Sequence, residues 1–229
     1  MKQFITLLFV SSIALNILGQ EPATLISGIK AKLDKVNDYA AAGKMKTNVN
    51  FMKTPVADVK VYFRKPDQMR IKNETGISFI PKGSVNINLG NIFTATGDYD
   101  LIDGGKESGS GLRIIKLLPK KDGSDVVLST LYIDEKALLV KKAKTTTKEN
   151  GTYELEMTYG KYAAYALADK VVFSFNTKDY KLPKGVTFDY DDGSKKSKPA
   201  GGTGENKGRV EINYSSYTIN KGVPDSVFK

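Results

Sequence analysis

The chain has 229 residues, 40% hydrophobic and 26% charged, with a formal net charge of +10 and no Cys, His or Trp. This is a globular composition, long enough to bury one sizeable core. Without Cys or His there can be no disulfide, no thiolate metal site, no lipidated N-terminal cysteine and no Ser-His-Asp or Cys-His machinery.

The first segment reads as an export signal. Met1-Lys2 gives a basic start. Phe4 to Leu18 is an apolar run too short to span a bilayer comfortably, and Gly19 is a small residue at which a signal peptidase can cut. The expected division is therefore a signal peptide, residues 1–19, and one mature domain, residues 20–229. No second long apolar run follows. A basic exported chain can meet anionic membrane surfaces or acidic partners. Its lysines are dispersed, and together with export this argues against nucleic acid.

Residues 24–38 repeat Leu25, Ile26, Ile29, Leu33 and Val36 at helical spacing, and Gly43 punctuates the chain after them. Asp58 to Lys65 alternates as a strand, with Val59, Val61 and Phe63 on one face and Lys60, Tyr62 and Arg64 on the other. Pro66-Asp67 makes a turn, and Met69, Ile71, Ile77 and Phe79 mark the returning strands. Residues 84–111 lose the alternation and read as an irregular insertion ending in a loose loop, Gly104 to Gly111, in the manner of a lid. Strands resume at Leu112–Leu118, Val126–Ile133, Leu138–Thr147, Thr152–Tyr159, Lys170–Asn176 and Val186–Tyr190. Glu149-Asn150-Gly151 gives a strong hairpin signal. A Lys-, Gly- and Ser-rich stretch, Gly193 to Gly208, precedes a last strand, Arg209–Tyr214. About ten strands with no helices between them predict an antiparallel sheet.

The remaining polar chemistry is sparse. Asp98, Asp100 and Asp103 cluster, as do Asp189, Asp191 and Asp192. Paired acids can serve glycosidase chemistry, but acids beside Gly are mostly turn formers. The Gly-rich runs 104–111 and 201–208 lack the phosphate-loop pattern. Apolar surface is abundant: Leu138-Leu139-Val140 and Val171-Val172-Phe173 are greasy on both faces. One helix and one insertion must cover an extended sheet. The outcome is either an ordinary packed core or a concave apolar face only partly filled, a shape that suits acyl chains.

Several stretches resemble the periplasmic lipoprotein carrier family, the LolA-like proteins. Ile29 to Tyr39 (I-K-A-K-L-D-K-V-N-D-Y) resembles that family's opening helix. Val61 to Ile71 (V-Y-F-R-K-P-D-Q-M-R-I) resembles its strand ending in a basic residue and Pro, and Leu182-Pro183-Lys184-Gly185-Val186 its late proline-and-glycine segment. The order agrees from Leu25 to Asp192. The resemblance implies a mainly β fold with a few helices: a half-open antiparallel β-barrel, or curved sheet, under a helical lid. It implies a periplasmic, non-enzymatic, cofactor-free monomer that binds lipoprotein acyl chains, receives them from an inner-membrane release complex and passes them to an outer-membrane acceptor.

The expected cavity lining is Val59, Val61, Phe63, Met69 and Ile71, with Leu155 and Met157. The family's lid-locking Arg stands immediately before that Pro, where this chain has Lys65. Strand parity puts Lys65 on the side of Val61 and Phe63 and turns Arg64 outwards. Lys65 is thus the candidate lid latch, or else a strand-end lysine with its ammonium in solvent. Residues 194–229 exceed the family's short form and add at least one strand, which caps the barrel, extends a sheet edge or binds a partner. The rival readings are a lipid- or lipoprotein-sensing regulator on the same fold, an enzyme using the Asp clusters, and a structural domain with a filled core.

Overall fold

The computed structural model of the chain describes residues 21–49, 52–53, 56–66, 68–73, 98–149, 151–176 and 207–228. The expected export segment, Ile77, Phe79, the first half of the expected insertion, the expected strand Val186–Tyr190 and the second Asp cluster lie outside them.

Helix α1 (Pro22–Leu33) starts with Pro in its first turn, where the missing N–H costs nothing, and carries Lys30 and Lys32 in its last turn, where the helix dipole favours cations. It ends earlier than the apolar periodicity predicts. The Asn220 side chain explains the stop: its Nδ2 donates to the Lys35 carbonyl (2.7 Å) and its Oδ1 accepts the Asn37 N–H (2.7 Å). A distant amide thus takes the backbone groups that a further helical turn would use. Val36 falls off the helix yet is buried.

Among the described residues, eleven strands form one antiparallel sheet. They are β1 (Asp38–Val49), β2 (Met52–Lys53), β3 (Ala57–Arg64), β4 (Gln68–Asn73), β5 (Tyr99–Lys106), β6 (Arg113–Pro119), β7 (Val126–Asp134), β8 (Leu139–Thr147), β9 (Gly151–Thr158), β10 (Lys170–Asn176) and β11 (Lys207–Ile219). The order is β4-β3-β1-β11-β10-β9-β8-β7-β6-β5, with β2 paired to β1. The sheet curves without closing, since β4 and β5 are its two ends. Most strand boundaries agree with the sequence to within a residue or two.

Three differences matter. Residues 38–49 form a long strand where Gly43 alone had been read, as punctuation. Tyr39, Ala41, Gly43 and Met45 alternate inwards, but small side chains hide the pattern. Gly43 sits at a β-bulge against β11, where a Cβ would stand 2.6 Å from the Asn213 carbonyl oxygen. Only glycine allows the two backbones to approach that closely.

Residues 99–106, expected to be irregular, are edge strand β5. Its pairing with β6 shifts between Asp103 and Lys106, across Gly104-Gly105, which blurs the period.

The described strand of the C-terminal extension does not lengthen the sheet's edge. Strand β11 lies centrally, pairing β1 on one side and β10 on the other.

Candidate functional site

Alternation along the strands sends one set of side chains to the inner face, where they form two apolar clusters. The first joins Leu25, Ile26 and Ile29 of α1 to Ile115, Leu117, Leu131, Ile133 and Val140 of β6–β8, and extends to Leu155, Met157 and Phe173. The second joins Val36, Tyr39, Ala41 and Met45 to Val59, Val61, Phe63, Leu167 and Ile212. Val210 and Tyr214 pack against both, so the apolar surface is continuous from β4 to β6. Helix α1 roofs only the first cluster.

The seven residues expected to line a cavity divide between the two. Val59, Val61 and Phe63 are buried in the second cluster, and Met69 and Ile71 are half-buried against it. Leu155 and Met157 belong to the first. The described inner side chains pack on one another. A cleft of about 310 Å³ opens elsewhere, at the β1–β11 bulge, among Ala42, Lys44, Asp58, Lys60, Asn213 and Ser215; of the seven residues only Val59 reaches it.

Sequence reasoning passed over an aromatic wall in the second cluster. The Tyr39 ring lies 5.4 Å from Phe63 and 5.3 Å from Tyr217, and Tyr217 lies 4.9 Å from Tyr162 and 5.1 Å from Tyr214. Burial pushes the hydroxyls of Tyr39, Tyr214 and Tyr217 well above the ordinary phenol range, so they stay neutral. Tyr217 Oη donates to the Ala168 carbonyl (2.7 Å), and Tyr162 Oη accepts the Tyr217 N–H (3.3 Å). A wall of this kind is apolar in body and hydrogen-bonded at its rim. The excess of Tyr over Phe was its only trace in the sequence.

Lys65 follows the end of β3, and its Nζ donates to the Asp34 carbonyl at the C-terminal end of α1 (3.0 Å) and to Asp34 Oδ1 (3.4 Å). Lys32 Nζ holds the helix to the Ala137 carbonyl at 2.5 Å. Burial opposes ionisation of Asp34, but the hydrogen bond from Lys30, together with the charges of Lys30 and Lys65, holds its carboxyl below the ordinary range. Arg64 points the other way and clamps the C-terminal tail. It bonds the Val223 carbonyl (3.1 Å) and Asp225 (2.6 Å), and its guanidinium lies 4.9 Å from the Phe228 ring centre.

The first Asp cluster is engaged in ion pairs: Asp98 with Lys121, Asp100 with Lys120 and Asp103 with Arg113. Among the described residues no three acids converge as a metal site, and no helix is long and apolar enough to cross a membrane.

No family model and no curated protein sequence matches the chain. Solved structures do. A putative outer membrane lipoprotein-sorting protein domain from Vibrio parahaemolyticus matches with a TM-score of 0.54 at 11% identity, over 90% of this chain and 95% of that one. A DUF1329 family protein from Desulfovibrio piger gives 0.52 at 14% identity, over 92% and 98%. A LolA superfamily protein from Nitrosomonas europaea gives 0.52 at 9% identity, again over 92% and 98%. The fold is LolA-like: a mainly antiparallel, unclosed curved sheet with a helix across its inner face.

Proposed function

From a fold shared with LolA-like and lipoprotein-sorting proteins, we propose that this chain is a non-enzymatic periplasmic carrier for lipoprotein acyl chains. One observation carries the reading. A continuous apolar face lies between two unclosed sheet ends, roofed on one side by α1, which lysines pin through backbone carbonyls. The export segment is removed near Gly19, and the mature domain acts as a monomer without a cofactor. It takes cargo from an inner-membrane release complex and yields it to an outer-membrane acceptor.

Among the described residues the inner face beneath α1 is packed, so entry there requires α1 to lift. Uncovering Leu25, Ile26 and Ile29 costs roughly 5–9 kcal/mol, at about 1.5–3 kcal/mol for each side chain. A buried 16-carbon chain gains on the order of 12 kcal/mol. The difference, reduced by the cost of ordering the chain, leaves moderate affinity, as handover demands. Val59, Val61, Phe63, Met69 and Ile71 form the far wall of the opened trough, Leu155 and Met157 its floor, and Lys65 the latch.

The Cys-free chain permits a clean test. In Gly28→Cys/Leu138→Cys the two positions are already in contact, a Cβ at Gly28 lying 3.2 Å from Leu138 Cδ1. Oxidation should abolish binding of a fluorescent fatty-acyl probe, and reduction should restore it. Equal binding in both states would rule out α1 as the gate. Native mass spectrometry of the protein recovered from the periplasm should show co-purifying acylated species; bare protein throughout would count against a carrier.

A further inference from the structure

The outer face of the sheet at its β4 end carries a dense array of exposed cations. Lys60 of β3 stands directly opposite Lys72 of β4, and Arg70 stands opposite Tyr62. Lys44 and Lys46 continue the array on β1, and Arg209 continues it on β11. All six basic side chains are exposed. Like charges facing each other across a strand pair are destabilising.

The same surface at β8–β9 obeys the opposite rule: Lys142 faces Glu156 and Lys144 faces Glu154. Among the described residues, the acids near the β4 end are engaged. Asp58 binds Lys44 at 2.8 Å, Glu211 binds Lys170 at 2.9 Å and Arg209 at 3.6 Å, and Asp38 accepts the N–H groups of Lys221 and Gly222. Lys46, Arg70 and Lys72 form no ion pair among the described residues.

We propose that this outer face docks on an anionic phospholipid bilayer. Charge complementarity sets the sign of the partner, and the residue types choose between partners. Protein interfaces are depleted in Lys and centred on buried aromatic or Arg anchors. Here four of the six cations (Lys44, Lys46, Lys60, Lys72) are lysines on flexible stems, a diffuse array suited to fluid headgroups. Tyr62 lies among them with Lys72 Nζ 5.9 Å from its ring centre, an amphipathic side chain fit for the headgroup layer. The cleft at the β1–β11 bulge opens between Lys44 and Lys60, giving one headgroup room to seat. The proposal is independent of acyl-chain carriage, because it concerns headgroup charge and the opposite face of the sheet.

The test is co-sedimentation of the purified chain with two sets of vesicles: phosphatidylcholine alone, and equal parts phosphatidylcholine and phosphatidylglycerol with the same acyl chains. Binding should appear only with the anionic vesicles and should weaken as salt rises. Each basic residue near an anionic surface is worth about five-fold, so Lys46→Glu/Arg70→Glu/Lys72→Glu should lose at least about a hundred-fold. Lys116→Glu/Lys136→Glu/Lys148→Glu carries the same change in charge on the other half and should retain binding to within about five-fold.

Equal loss in both variants would show nonspecific attraction and overturn the assignment. Equal binding to both vesicle types would point to acyl-chain uptake and overturn it too. Failure of the wild-type chain to bind anionic vesicles would also overturn it, and would leave an acidic protein as the partner of this face.

Discussion

From β5 to β10, each strand of the sheet lies beside its neighbour in sequence, a plain meander whose inner face is capped by α1. From β4 to β11 the rule changes. Strand β1 finds its partner at the other end of the chain, with Tyr39 opposite Ile219, and the inner face is lined with tyrosine. The first half closes short loops and should form readily; the second exists only when both ends of the domain have met. The outer surfaces differ likewise, with alternating charges on β8–β9 and like charges on β3–β4. Consistent local choices mark the half that supports the fold. Departures from local rules collect in the other half, as they do where function competes with stability.

The severest way to break this division is Ile212→Asp. Ile212 is 1% exposed in the middle of β11, so a carboxylate there would be buried without a partner. The expected loss exceeds about 4 kcal/mol, a large share of any domain's stability. Hydrogen exchange should show protection vanishing from β1 and β3 while some persists in β6–β9; uniform loss would mean that the halves are one cooperative unit. Gly43→Ala is milder. Its Cβ would meet the Asn213 carbonyl at the bulge, and urea denaturation should show a loss of about 1–3 kcal/mol.

The two halves were also unequally legible. In the meander from β6 to β10, Asp, Gly and Lys turns punctuate the strands, and their boundaries followed from period and turn chemistry. In the other half, β3 was plain because Val59, Val61 and Phe63 are large and alternate. Strand β1 was not, because Ala41 and Gly43 occupy its inward positions and small residues give no periodic signal. Long-range pairing has no local signature at all, so the central place of β11 was invisible. The tyrosine wall was missed for the same reason: its rings come from residues 39, 162, 214 and 217, which only the tertiary fold brings together. Lys65 was singled out through the resemblance to a family strand that ends in a basic residue and Pro, whereas the partner of Arg64 lay in a tail without such a resemblance.

Among its described residues the meander buries three hydroxyls, and two of them offer a sharper test of how well that half is satisfied. Ser129 and Thr145 face each other across β7 and β8, both buried, with their hydroxyls 3.0 Å apart. Ser129→Ala leaves the Thr145 hydroxyl without this partner and should cost about 1–2 kcal/mol. Ser129→Ala with Thr145→Val removes both hydroxyls and should be close to neutral, so the double-mutant cycle should report strong coupling in chemical denaturation. Additive losses would mean that each hydroxyl is held by other partners and that the pair is incidental.

The smallest effect separates the halves most directly, because adjacent residues serve them separately. Lys65 holds the end of α1, and Arg64 holds residues 223–228. Lys65→Met should raise amide exchange at the C-terminal turn of α1 and spare the tail; Arg64→Met should do the reverse. Each local change should lie within about 1 kcal/mol, as for exposed pairs. Acid should also loosen the end of α1. The folded pKa of Asp34 is lowered, chiefly by the Lys30 hydrogen bond, so its stabilising contribution is complete above the unfolded value of about 3.9 and is lost as pH falls through the folded one. Exchange at the end of α1 should therefore quicken below about pH 4. If Lys65→Met loosens the tail as much as the helix, the two latches form one joint, and the boundary between the halves does not run between residues 64 and 65.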